Sequence, residues 1–188
     1  VTPVSSALWD TLKIVPLVFV LALFQLSTAP GLMPFGSGPD LVLVVVVALA
    51  LWRGTVTAAV TGFFGGLLLN AMVFVPLGTA SLLYVLTAAL VARASHPDDQ
   101  SAPLGTPPHR PTSSFRLVPW VVAATLGVQI GLVILHRLLG ADVPLAYLWW
   151  NQILPSVIQT ALAACLLAPL LRWMFPEGSV RDAGIATA

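Results

Sequence analysis

Stretches without Asp, Glu, Lys or Arg dominate the chain: 14–39, 41–52, 54–92, 117–136 and 143–171. A helix crosses a hydrocarbon core of roughly 30 Å with about 20 mostly apolar residues, so each long stretch predicts a membrane-spanning helix. The third is long enough for two spans and carries its own turn at Pro76-Leu77-Gly78. Six segments follow: 14–33, 40–53, 55–75, 78–93, 117–138 and 149–174. The second is short. From Asp40 to Arg53 it rises only about 21 Å, which suits either a short span or a re-entrant half-helix; in the latter case five helices cross.

Polar residues gather between these segments. Residues 94–116 hold His96, Asp98, Asp99, His109 and five prolines with little apolar bulk, so a flexible cytoplasmic loop is expected there. The acids and histidines are too scattered along that loop to predict a metal site. The expected organisation is one membrane domain: helices one to four over 1–93, the loop over 94–116, helices five and six over 117–175, and a polar tail over 176–188. With six spans and the N-terminus inside, seven of the eight basic residues face the cytoplasm and only Arg137 faces out. That predicts both termini on the cytoplasmic side. The first segment lacks a net positive n-region, since Asp10 offsets Lys13, so it reads as a retained span rather than a signal peptide.

Composition agrees with this picture. Hydrophobic residues make up 58% of the 188, charged ones 8%, and the mean hydropathy is +0.97. Lipid is therefore a large part of the solvent. The net charge of +1 and the absence of a basic stripe exclude a nucleic-acid partner. The single Cys165 excludes a disulfide framework.

Small residues recur every fourth position. The third segment has Gly54, Ala58, Gly62, Gly66 and Asn70, with Phe63 beside the row; the fifth has Ala123, Gly127 and Gly131; the sixth has Ser156, Thr160, Ala164 and Ala168. Such ridges let helix backbones approach closely, which matters where lipid gives no hydrophobic drive for helix association. Each ridge either packs within the bundle or receives a partner's helix; the third segment is the first candidate for a partner and the sixth the second. The scattered amides Gln25, Asn70, Gln129 and Gln159 suit interhelical hydrogen bonds of about 0.6 to 2 kcal/mol. Pro39-Asp40 reads as a helix start at the outer interface, with the carboxylate near the positive end of the helix dipole. Pro76 and Gly78 read as a tight turn. Tyr147, Trp149, Trp150, Trp120 and Trp173 lie near span ends, as interfacial anchors do. No hydrolase or intramembrane-protease motif occurs, and His136 at a span end has no catalytic companion, so no enzyme and no cofactor are expected.

The order of Pro39-Asp40-Leu41, Arg53-Gly54, Gly62-Phe63, Gly66-Leu67 and Pro76-Leu77-Gly78, with Ala168-Pro169-Leu170 near the end, resembles the MreD family of rod shape-determining proteins. Asn70 stands where that family often carries an acid. The resemblance implies an all-α bundle similar to the substrate-binding subunits of energy-coupling-factor transporters. It also implies a non-enzymatic scaffold in the bacterial cytoplasmic membrane. Its partners would be the transmembrane helix of MreC and, through MreC, RodA, the elongation penicillin-binding protein and MreB, in support of lateral peptidoglycan synthesis. The same architecture allows a second reading, a small-solute-binding transporter subunit, for which Asn70, Gln129, Trp149, Trp150 and Asn151 are the available polar and aromatic groups.

Overall fold

The computed structural model describes residues 3–28, 38–72, 78–95, 117–140 and 148–174, with side chains of the first helix described from Lys13 to Ser27. Six helices form in these residues, and no strand occurs among them: α1 Pro3–Thr28, α2 Leu41–Trp52, α3 Thr55–Met72, α4 Thr79–Ser95, α5 Leu117–Leu138 and α6 Leu154–Met174. A single π-helical turn, Trp149–Ile153, leads directly into α6. The 94–116 loop beyond Ser95, the tail from 175 and Pro76 lie outside the described residues.

Three helical stretches are long and apolar enough to cross a membrane: Thr55–Met72, Leu117–Leu138 and the continuous Trp149–Met174. Large apolar side chains such as Phe19, Phe64, Leu82, Leu90, Ile134 and Leu166 point outward from α1, α3, α4, α5 and α6. In water that surface would be a severe liability; against lipid it is the ordinary exterior.

The short second segment is the centre of the molecule. Every residue from Leu41 to Leu51 is buried, and α2 packs against α1, α3, α4, α5 and α6. A helix apolar all round belongs in such a place. Its 12 residues cover about 18 Å, less than a bilayer core, because its neighbours and not lipid surround it. Arg53 and Gly54 alone join it to α3. The Arg53 and Gly54 N–H groups both donate to the Leu49 carbonyl, at 2.8 and 3.1 Å. Gly54 then adopts φ +93°, a conformation only glycine holds without strain, and its carbonyl accepts from Ala58 to start α3.

The α3 ridge is filled from within. A Cβ built on Gly66 would lie 2.5 Å from the Ser81 nitrogen and 2.6 Å from the Ser81 Cα, and one on Gly62 would lie 3.1 Å from the Tyr84 Cβ. The α3 and α4 backbones therefore meet without intervening side chains. Gly65, off the ridge, faces α2 and α1 through Val42 and Val18. Ala58, Gly62, Gly66 and Asn70 are all buried, while Phe63 and Phe64 are exposed. A partner's helix could reach this ridge only by displacing α4. The sixth-segment row is likewise turned inward: Ser156, Thr160 and Ala164 are buried, and Ala168 packs on the core. Both expected partner faces thus give way to internal packing. On α5 the row divides, since a Cβ on Gly131 would meet Leu83 at 2.5 Å whereas Gly127 has nothing within 4 Å.

Candidate functional site: a polar knot at the start of the buried helix

Asp40 gathers four helices at one point. Its Oδ1 accepts from the Leu43 N–H at 3.1 Å, the side-chain cap expected of an aspartate at this position. Its Oδ2 accepts from the Tyr84 hydroxyl of α4 at 2.6 Å. Its own backbone N–H donates to Thr160 Oγ1 of α6 at 3.0 Å. Gln25 of α1 completes the knot: its Oε1 accepts from the Leu41 and Val42 N–H groups at 3.1 and 3.4 Å, and its side chain also hydrogen-bonds the Asp40 carboxylate. The N–H groups of a helix's first turn lack intrahelical partners, and buried ones are costly unless satisfied. Here the exposed-donor problem of a helix starting inside a bundle is met by side chains from α1 and from Asp40 itself.

The location differs from the outer-interface cap that the sequence suggests. Thr160 lies eleven residues after Trp149, where the continuous helix of α6 begins, which is about 16 Å along its axis. Asp40, level with Thr160, is therefore well inside the span of the α5–α6 pair. The cap itself is as expected; its depth is not. Sequence reasoning noted Gln25 only as a lone amide and passed over Tyr84. The available signal was that Tyr84 is the one tyrosine among the apolar residues of its helix, and a buried tyrosine hydroxyl needs a partner.

Other side-chain contacts between helices lie on the same side of the bundle. Asn70 Nδ2 donates to Thr79 Oγ1 at 3.0 Å across the α3–α4 connection, and Ser81 Oγ donates to the Phe63 carbonyl at 2.9 Å. Gln129 Nε2 of α5 donates to Ser156 Oγ of α6 at 2.9 Å. The hydroxyls of Thr61 and Thr125, by contrast, return to carbonyls of their own helices and join nothing. Gly78 has φ +94° and starts α4 by accepting from Leu82.

A cleft of about 230 Å³ opens between the end of α5 and the π-helical turn, bounded by Gln129, Leu132, Val133 and His136 on one side and Leu148, Gln152 and Ile153 on the other. Trp149 and Trp150 stand exposed next to it. Among the described residues no group of three or more His, Cys, Asp or Glu is placed to hold a metal ion. The knot has the properties of a structural clamp: side chains satisfy the first N–H groups of α2 around one carboxylate, and its bonds tie α1, α4 and α6 to that helix.

Fold and interior together define a class: among the described residues, an all-helical bundle of six helices with the apolar exterior of a membrane protein, closed around a short buried helix. No family model, curated protein or solved structure matches this chain.

Proposed function

We propose that the protein is a non-enzymatic, MreD-like scaffold of the bacterial elongation complex, holding the transmembrane helix of MreC and through it RodA, the elongation penicillin-binding protein and MreB. On this reading it sits in the cytoplasmic membrane with both termini inside, and its architecture is akin to that of the energy-coupling-factor substrate-binding subunits. One observation supports it above the solute-binding alternative: the middle of the bundle is occupied by α2, buried over its whole length. A solute carrier needs concave space lined by convergent polar groups. Here the polar groups near the centre are used to cap α2.

The partner helix then docks on an outward face. The ridges of α3 and α6 are filled, so the remaining small residues are Ala123 and Gly127 on α5, both exposed and followed on the same outward face by the exposed Ile130 and Ile134. A helix laid there approaches closely in the manner of small-residue contacts in lipid.

The test is co-purification from membranes with full-length MreC and with MreC lacking its transmembrane helix. Recovery of the full-length form and loss of the truncated one is expected. Equal recovery of both would reject helix-mediated docking. Retention of a small solute by the purified protein, with no MreC recovered, would transfer the assignment to the transporter class.

A further inference from the structure

Of the four amides Gln25, Asn70, Gln129 and Gln159, three are bonded across helices: Gln25 to the start of α2, Asn70 to Thr79 and Gln129 to Ser156. Gln159 on α6 has no hydrogen-bond partner among the described residues. Its side chain is partly exposed. It lies about 15 Å along the helix from Trp149 and about 22 Å from Met174. That is the middle of a hydrocarbon core of roughly 30 Å, too deep for a glutamine to reach the headgroups. No water is available there to an amide, and an unbonded one is costly. The face it occupies has its own pattern. Gln159, Leu162, Leu166, Pro169 and Trp173 follow one another at alternating steps of three and four residues, the spacing of a coiled-coil seam. Leu162, Leu166, Pro169 and Trp173 are all exposed. A single polar residue in such an apolar seam fixes register and the number of partners.

We propose that two copies of this chain pair in the membrane through α6, seam against seam, with their Gln159 amides in reciprocal hydrogen bonds. Each Nε2–H donates to the other copy's Oε1. The amide selects this occupant. A carboxamide carries both a donor and an acceptor, so it complements itself across a two-fold axis. A second copy inserted with the same topology brings its own Gln159 to the same depth, with the two α6 helices parallel. Acyl chains offer neither donor nor acceptor there, so lipid on this face leaves the amide unsatisfied. In the paired state Leu162 packs on Leu162 and Leu166 on Leu166, as apolar seam residues do in a parallel coiled coil. The surface is on a different helix from Ala123 and Gly127, so the pairing does not rest on the scaffold reading.

The full chain reconstituted alone in phosphatidylcholine vesicles tests it, because a second copy is then the only protein partner. Cys165, the single cysteine, is exposed beside the seam, about 100° around the helix from Leu166. In a Cys165→Ser background, Leu162→Cys and Leu166→Cys should each give a disulfide-linked dimer on mild oxidation. The parent, with Cys165 alone, should give about tenfold less. Gln159→Leu added to Leu162→Cys should raise the protein-to-lipid ratio at half-dimerisation about tenfold, the order expected of two interhelical amide bonds. Gln159→Asn, which keeps a self-complementary amide, should recover part of that shift. Monodisperse elution and unchanged helical circular dichroism show that each variant is folded; Gln159→Met replaces Gln159→Leu if it is not. Absence of a crosslinked dimer from both seam cysteines overturns the proposal. So does crosslinking through Cys165 as strong as through the seam, the mark of random collision, and so does a midpoint that Gln159→Leu leaves unmoved. If no dimer forms and Leu162→Cys instead crosslinks to a single-cysteine MreC helix added to the vesicles, the amide belongs to that helix and the self-pairing is overturned.

Discussion

The α3–α4 and α5–α6 pairs are both built on small residues at four-residue spacing, yet they use them differently. Between α3 and α4 the backbones touch: Gly66 rests on the Ser81 backbone and Gly62 on Tyr84. Between α5 and α6 the contact runs through side chains, the Gln129–Ser156 hydrogen bond among them, and then parts into a cleft. The first pair lies beside α2 with Gly65, its neighbour on α3, pressed toward Val42. The second pair outruns α2 by about 16 Å, so nothing of α2 fills the space between its ends. A helix that stops short inside a bundle therefore does two things at once. It requires polar caps where it begins, and it leaves room beyond them.

Breaking the tight pair should have the largest effect. Gly66→Leu places its Cβ about where the Ser81 backbone already stands, and a backbone cannot rotate aside as a side chain can. The helices must separate. A loss of about 3 kcal/mol, the upper part of the usual range for overpacking, is expected in denaturant titration of the purified protein. An unfolding curve like the parent's would mean that α3 and α4 are not in backbone contact. Gly62→Ala sharpens the same point, because its Cβ meets Tyr84 at 3.1 Å, a distance that small adjustments accommodate. Its cost should be well below that of Gly66→Leu.

The knot comes next. Asp40→Ala removes the cap on Leu43 and the acceptor of the Tyr84 hydroxyl. About 2 kcal/mol is expected from the lost cap and the stranded phenol together. Tyr84→Phe removes only one partner, so it should cost less, and the double variant should cost less than the two single changes summed. Strict additivity in that cycle would show that the two groups do not interact.

These two regions were legible to different degrees in the sequence. The helices were, because runs free of charge fix where lipid can surround the chain; α5 and the Trp149–Met174 stretch begin and end where the charge pattern places them. The central position of α2 was not. A 12-residue helix of Leu, Val and Ala closed by Trp52 has the same pattern whether lipid or protein surrounds it, and only its shortness hinted that lipid does not. The ridges were legible as close-packing surfaces, but not as inward ones, since a glycine row has no side chain to say what it faces. The knot was half legible. Pro39-Asp40 announced a helix start, whereas Thr160, Tyr84 and Gln25 lie 120, 44 and about 15 residues away along the chain, so nothing local announced them.

On the looser pair the effects should shrink. Gln129→Leu deletes one interhelical hydrogen bond and leaves the Ser156 hydroxyl to turn back onto its own helix, as Thr125 already does on α5. About 0.6 kcal/mol is the expected loss, the average for such bonds in membrane helices. A loss as large as that of Asp40→Ala would mean that the α5–α6 pair depends on polar contacts as heavily as the knot does.

The smallest effect on folding should come from Gly127→Leu, and it is also the most informative about function. No atom outside its own helix lies within 4 Å of a Cβ built there, so the bundle has room for the new side chain. Stability should stay within about 0.5 kcal/mol of the parent, as for other surface changes. If a partner's helix rests on the Ala123–Gly127 face, the added isobutyl group holds it off, and recovery of MreC in co-purification should fall while the unfolding curve does not move. Normal recovery with normal stability would remove α5 as the docking face and leave the outward surfaces of α1 and α4 to be tested. A fall in both would show that Gly127 faces part of this chain after all, and would make the α5–α6 pair more like the α3–α4 pair than their glycines suggest.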